Sequence, residues 1–144
     1  MNTLVKAIFI TLIFFSGLTQ AEDKNAVTDQ RISLSLSAAE KAEFLVEMRQ
    51  MLASIQGIIT GIGEENRQLV IESAKASGNR MARATPDSVR QRLPQSFKDI
   101  GGPTHMMFEE LAIRAETDDM DMLASFTGEL MQQCMTCHAM YRAD

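Results

Sequence analysis

Residues 37–63 place the tightest constraint on the fold. Ser37-Ala38-Ala39-Glu40 fits a capping box, in which the serine hydroxyl and the glutamate carboxylate close the free amides of a first helical turn. Behind it Phe44, Leu45, Met48, Met51, Leu52, Ile55, Ile58, Ile59 and Ile62 recur at threes and fours. At about 100° per residue they fall within roughly 140° of arc, one broad apolar stripe that has to be covered. Gly61 and Gly63 supply the stop.

The cover is read as more helix. A second helix is expected from Glu64 to Arg83, with a slim inner face of Leu69, Val70, Ser73, Ala76, Ser77 and Met81, ended by Thr85-Pro86. Asp87 to Leu93 lies between prolines and has room for a short helical turn. Thr104 can cap a third helix from Pro103 to Thr117, facing inward with Met107, Phe108, Leu111 and Ile113. Asp118 or Asp119 opens a fourth, on which Met122 or Leu123, Phe126, Leu130, Cys134, Cys137 and Tyr141 recur at helical spacing. Ile32, Leu34 and Leu36 alternate like a strand, but one isolated strand has no evident partner, so residues 22–36 read as an extended arm. The fold class is all-α, and an antiparallel up-down four-helix bundle spanning 37–144 is the economical arrangement.

Residues 1–21 read as an export signal: Lys6, an apolar run from Ala7 to Phe15, then Thr19-Gln20-Ala21 as a small-x-small cleavage site. The run is shorter than the roughly 20 residues that a spanning helix needs, so no stable membrane span is expected after cleavage. Losing Lys6 takes the formal charge from −5 to −6. An acidic domain offers no footing for nucleic acid or anionic lipid, and a charge-steered partner should present a basic face. The expected compartment is the periplasm, where two cysteines are too few for a disulfide scaffold.

Those two cysteines stand in Cys134-Met-Thr-Cys137-His138, close to the C-terminus. On a continuous helix they occupy i, i+3 and i+4, so Cys134 and His138 share a face with Leu130, and Cys137 lies one step round. That spacing suits haem c: two thioethers to the porphyrin, and the adjacent imidazole as an iron ligand. A zinc site would consume both histidines, His105 and His138, and would need Cys137 and His138 to meet one ion from about 100° apart. A disulfide-exchange pair belongs at a helix start in a βαβ unit, and this chain has neither.

A helical chain with an export signal and Cys-x-x-Cys-His in its last turns resembles the class II c-type cytochromes, the cytochrome c-prime and cytochrome c-556 group, from about Ser37 onward. The resemblance implies a monohaem one-electron carrier, not an enzyme, with Cys134 and Cys137 as anchors and His138 as proximal iron ligand. It also implies a basic residue four positions after the histidine, here Arg142, available to a haem propionate or to the negative end of the helix. A distal methionine from the first helix would make the iron six-coordinate. An apolar, non-ligating residue there would leave it open to nitric oxide or carbon monoxide.

Two methionines compete for that distal place. With Phe44 at 0°, Met48 falls near 40° and Met51 near 340°; the expected stripe centre is 20–30°, and Met48 matches the c-556 placement. Met48 is therefore the candidate distal ligand, with Met51 and His105 behind it. His105 is also the only histidine left to serve a haem peroxidase as a distal proton acceptor. The acidic run Glu109, Glu110, Glu116, Asp118, Asp119 and Asp121 is a solvated face or the docking surface for a basic redox partner, and a homodimer is compatible with the resemblance.

Overall fold

A computed structural model describes residues 28–144; the expected export signal and the first residues of the expected arm lie outside it. The described residues form α1 (Ala38–Gly63), α2 (Arg67–Ala76), α3 (Asn79–Ala84), α4 (Asp87–Arg92), α5 (Gln95–Arg114) and α6 (Met120–Met140). Two short strands, β1 (Ile32–Ser33) and β2 (Tyr141–Arg142), complete them. Apart from that pair, the regular structure among the described residues is all helical. α1 packs against α2 and α6, and α5 packs against the same two helices.

α1 begins as its sequence dictates. The Glu40 amide donates to Ser37 Oγ at 3.3 Å, and the Ser37 amide donates to Glu40 Oε2 at 2.8 Å. It ends at Gly63 in a Schellman motif, in which the Asn66 amide reaches Gly61 O at 2.7 Å and the Glu65 amide reaches Ile62 O at 3.2 Å. The left-handed residue of that motif is Glu65, with φ 54°, where a side chain is strained. Glu65→Gly is expected to stabilise the fold by about 0.5–1 kcal/mol, read as a raised urea midpoint at unchanged m-value. Gly61 serves another purpose. A Cβ there would stand 2.8 Å from Val70 Cγ2 and 2.9 Å from its amide nitrogen, so the glycine lets α2 close in.

The expected second helix is two. It breaks at Ser77 and Gly78, where the Glu109 carboxylate of α5 lies so near that a Cβ on Gly78 would stand 2.4 Å from it. The same carboxylate accepts from the Asn79 amide at 3.1 Å and so starts α3. The third helix is longer than expected, beginning at Gln95 and running through Gly101, Gly102 and Pro103. Thr104 is then no cap: it is buried mid-helix with its hydroxyl on Ile100 O at 2.8 Å. Phe97 and Ile100 explain the extension, because they are packed against apolar side chains at this end of the molecule.

The inner faces also differ in detail. Leu52 of α1 is 70 % exposed, Ile59 52 % and Ile113 of α5 63 %; Ser54, Gly61, Ala112 and Ala115 are buried instead. Ser54 tolerates burial because its hydroxyl pairs with that of Ser77 at 2.8 Å. Taking Phe44 as 0°, the buried residues of α1 centre near −50°, about 75° from the expected centre.

The apolar interior is in two parts. The larger cluster holds Ile55, Ile58, Val70, Phe108, Leu111, Leu123 and Leu130, with Met51 packed on its edge. The smaller holds Leu34, Leu36, Leu93 and Tyr141, with Phe44, Val89, Phe97, Ile100 and Cys137 packed on it. Phe97 bridges Phe44 and Tyr141, with its ring centroid 6.0 and 5.3 Å from theirs. The arm that sequence left unpartnered does have a partner: β1 pairs in parallel with β2, Ile32 opposite Tyr141 and Ser33 opposite Arg142.

Candidate functional site

α6 is held at its start by Asp119, whose carboxylate accepts from the Met122 amide at 2.9 Å, and it continues unbroken to Met140. Cys134, Cys137 and His138 therefore do sit at i, i+3 and i+4 of one helix. Along the stripe they share, cover is progressively lost. Leu123 and Leu130 have no exposed surface, Cys134 and Cys137 are half-buried, and His138 is exposed. The helix face that fills the larger cluster thus runs out from under protein cover at the motif.

Both thiols are unbridged. Burial pushes the Cys134 thiol up, and it pushes Cys137 up as well, with Cys134 adding to the second shift. Cys134 Sγ leans on Leu130 O at 3.7 Å, and Cys137 packs on the smaller cluster. The motif thus falls where the two clusters part. Phe97 meets Tyr141, and the Arg114 guanidinium stands 4.4 Å over the Phe126 ring. Counting between those contacts sets Gly101 and Gly102 of α5 level with Cys137 and His138, the slimmest stretch that helix could offer. Large apolar groups stay uncovered nearby on α6: Met131, Met140 and, at 66 %, Met135.

On α1 the first buried residue is Ser54; Phe44, Leu45, Met48 and Met51 are all only half-buried. The corrected stripe centre changes the comparison of the two methionines. Met51 lies about 30° from it and packs on the larger cluster, whereas Met48 lies about 90° away and is packed on neither. α2 approaches α1 at Gly57 and Gly61, near −140° and −100°. Met48 lies on the flank of α1 turned away from α2, and α6 also packs on α1. Phe44 and Cys137 already share the smaller cluster. One turn further along α1 stands Met48, and one turn earlier on α6 stands Cys134.

His105 is elsewhere. It is half-buried on α5 with Nδ1 2.7 Å from Ser77 O, and it faces Glu47 of α1. Burial pushes the Glu47 carboxyl up, and the nearby His105 partly offsets that shift. Arg142 is also committed: it pairs with Asp144 and its Nε donates to Arg31 O at 3.2 Å. The guanidinium that reaches the negative end of α6 is that of Arg31, donating to His138 O at 3.3 Å. Sequence reasoning missed it because Arg31 stands 107 residues before that carbonyl. Tyr141 is buried, and its hydroxyl is hydrogen-bonded to Ser96 Oγ at 2.7 Å.

Among the described residues, no three His, Cys, Asp or Glu side chains converge as a metal cage. An open cleft of about 440 Å³ lies between α2, α3 and α5, lined by Glu72, Lys75, Arg80, Arg83 and Glu109 and away from the motif. The donor set does fit a covalently held porphyrin: two free thiols and an unencumbered imidazole on one turn, at a face that protein leaves uncovered. Comparison with family models, with curated proteins and with solved structures found no match to this chain.

Proposed function

We propose that this chain is an exported, periplasmic monohaem c-type cytochrome of the class II kind, carrying one electron and transforming no substrate. Its architecture would be an antiparallel up-down bundle of α1, α2, α5 and α6. The observation that carries the reading is the α6 stripe, which emerges from cover just where it bears Cys134, Cys137 and His138. Cys134 and Cys137 would anchor haem c, His138 would be the proximal ligand and Met48 the distal one. When bound, the haem supplies a one-electron iron couple. The chain's own part is to hold its orientation and keep water from one side of it.

The rivals draw less support. Zinc would require the motif side chains to converge, and they do not. Disulfide exchange works through a depressed thiol pKa, whereas burial raises both thiols here. A peroxidase would need a free distal base, and His105 is tied to the Ser77 carbonyl. A five-coordinate protein that binds nitric oxide or carbon monoxide is the second reading. It is favoured by Met48's place on the flank of α1, where a thioether can crowd the iron without ligating it.

A redox partner would carry a basic docking face if it met the acidic groups Glu110, Glu116, Asp118, Asp119 and Asp121. Those groups gather where α5 gives way to α6, roughly 20 Å along α6 from Cys134. Asp118 is already paired with Arg114.

The test is the mass and absorption spectrum of the exported, matured chain. One haem's added mass and a low-spin spectrum with a sulfur-to-iron charge-transfer band are expected. A high-spin spectrum with ready carbon monoxide binding would select the second reading, and a colourless protein at polypeptide mass would sink both.

A further inference from the structure

The segment before α1 does more than connect. Beyond the β1–β2 pair, the Leu34 amide donates to Arg142 O at 3.0 Å and the Leu36 amide to Asp144 O at 3.1 Å. Leu34 and Leu36 are both buried, against Tyr141 and the cluster on which Cys137 packs. Two residues apart, they face the same way as on any strand, and between them Ser35 stands at φ 51°, its amide held by Ser33 Oγ at 3.0 Å. A serine in the left-handed region is a conformation kept only by its surroundings, and here the surroundings are the two leucine anchors.

The last four carbonyls of a helix lack partners within it. In α6 the Cys137 carbonyl takes the Tyr141 amide, and the next one, His138 O, takes the Arg31 guanidinium at 3.3 Å. Arg31 is itself braced: Asp29 holds it through Nε and Nη2, the latter at 2.7 Å, and Arg142 binds its carbonyl. The bracing shows in Asp29, whose carboxyl the Arg31 hydrogen bonds hold down at about 2. A braced cation is therefore fixed on the main chain of the histidine that bears the imidazole.

We propose that residues 29–36 form a latch on the motif-bearing turn, in which Arg31 is a positioning residue for His138 and Leu34 and Leu36 are the anchors. The proposal rests on the haem reading for what His138 does, but the latch itself is a property of the chain. With the latch closed, the last turn of α6 holds the imidazole in one orientation; with it open, that turn frays and the orientation becomes plural.

The experiment uses the matured full chain as wild type, Arg31→Gln, Arg31→Lys and Leu34→Ser/Leu36→Ser. Mass is recorded first, then amide exchange, then the ferric electron paramagnetic resonance spectrum. Expected are a haem-bearing wild type and at least tenfold faster exchange of the Tyr141 amide in Arg31→Gln. Exchange across Leu123–Leu130 should be unchanged, which shows that the variant has folded. The paramagnetic signal should pass from one species to a mixture, and Arg31→Lys, which keeps a cation, should recover much of the wild-type pattern. Leu34→Ser/Leu36→Ser should produce the same changes without touching Arg31. A haem-bearing Arg31→Gln with wild-type exchange and a single paramagnetic species overturns the latch and leaves the haem reading standing. A wild type at polypeptide mass overturns the haem reading and with it Arg31's role, and the mass alone tells the two failures apart.

Discussion

The Cys134→Ser/Cys137→Ser double variant, exported alongside haem-attachment machinery, is expected to emerge colourless and at the mass of its polypeptide. Each single variant should keep one thioether, at reduced yield, and the absorption of its pyridine adduct should move to longer wavelength because one vinyl group remains unsaturated. The effect is expected to be total in the double variant because the chain has no substitute. It contains no other cysteine, and its other histidine is held on α5 by the Ser77 carbonyl. Folding should survive. The larger cluster is built from Ile58, Phe108, Leu111, Leu123 and Leu130 without either cysteine, and serine at two half-buried positions costs on the order of 1 kcal/mol each. A variant that is helical by circular dichroism yet colourless would therefore report lost attachment, not lost fold. Retention of the wild-type mass and colour in the double variant would remove the thioethers from the account.

The fold was legible where local chemistry acts alone. Ser37 and Glu40 close the first turn of α1 whatever surrounds them, and the threes-and-fours spacing of Phe126, Leu130, Cys134 and Cys137 survives as one continuous helix. It was misread where tertiary partners decide. Gly101-Gly102-Pro103 looks like a loop, yet α5 passes through it because Phe97 and Ile100 find cover next to Tyr141. The break at Gly78 answers to a carboxylate 31 residues later, Glu109, which no local pattern announces. β1 was invisible as a paired strand for the same reason: its partner is at the other end of the chain.

At the candidate site, the motif itself was fully legible, since three residues on one turn need no tertiary information. Their setting was not. The stripe on α1 was drawn through Leu52 and Ile59 because they are apolar; both are exposed, while Ser54 is buried with Ser77 as its hydrogen-bond partner. Periodicity counts hydrophobicity and is blind to a buried hydroxyl pair, so the centre came out about 75° wrong. Arg142, four positions past His138, is expected at a haem propionate or at the helix end; the carbonyl at that end takes Arg31, and Arg142 pairs with Asp144.

That corrected centre is why the substitutions of the two methionines should diverge. Met51 packs on the larger cluster, so Met51→Ala removes core contacts, and a loss of about 1–3 kcal/mol is expected with the spectrum unchanged. Met48 is packed on neither cluster and lies on the flank of α1 turned away from α2, so Met48→Ala should barely move the melting temperature. Its effect should fall on the iron: low spin to high spin, loss of the sulfur-to-iron band, and tighter carbon monoxide binding. The size of that last change follows from competition. An internal ligand that leaves the iron only about 1 % of the time weakens the apparent affinity of an external one about 100-fold, and removing it restores that factor. The stability and spectral readouts are independent, so the pair of variants gives a crossed pattern. If Met51→Ala changes the spin state while Met48→Ala leaves it alone, the distal ligand sits in the core-facing arc of α1 and the flank assignment fails. If neither changes it and the wild type already binds carbon monoxide tightly, the iron is five-coordinate and the chain is a gas-binding protein.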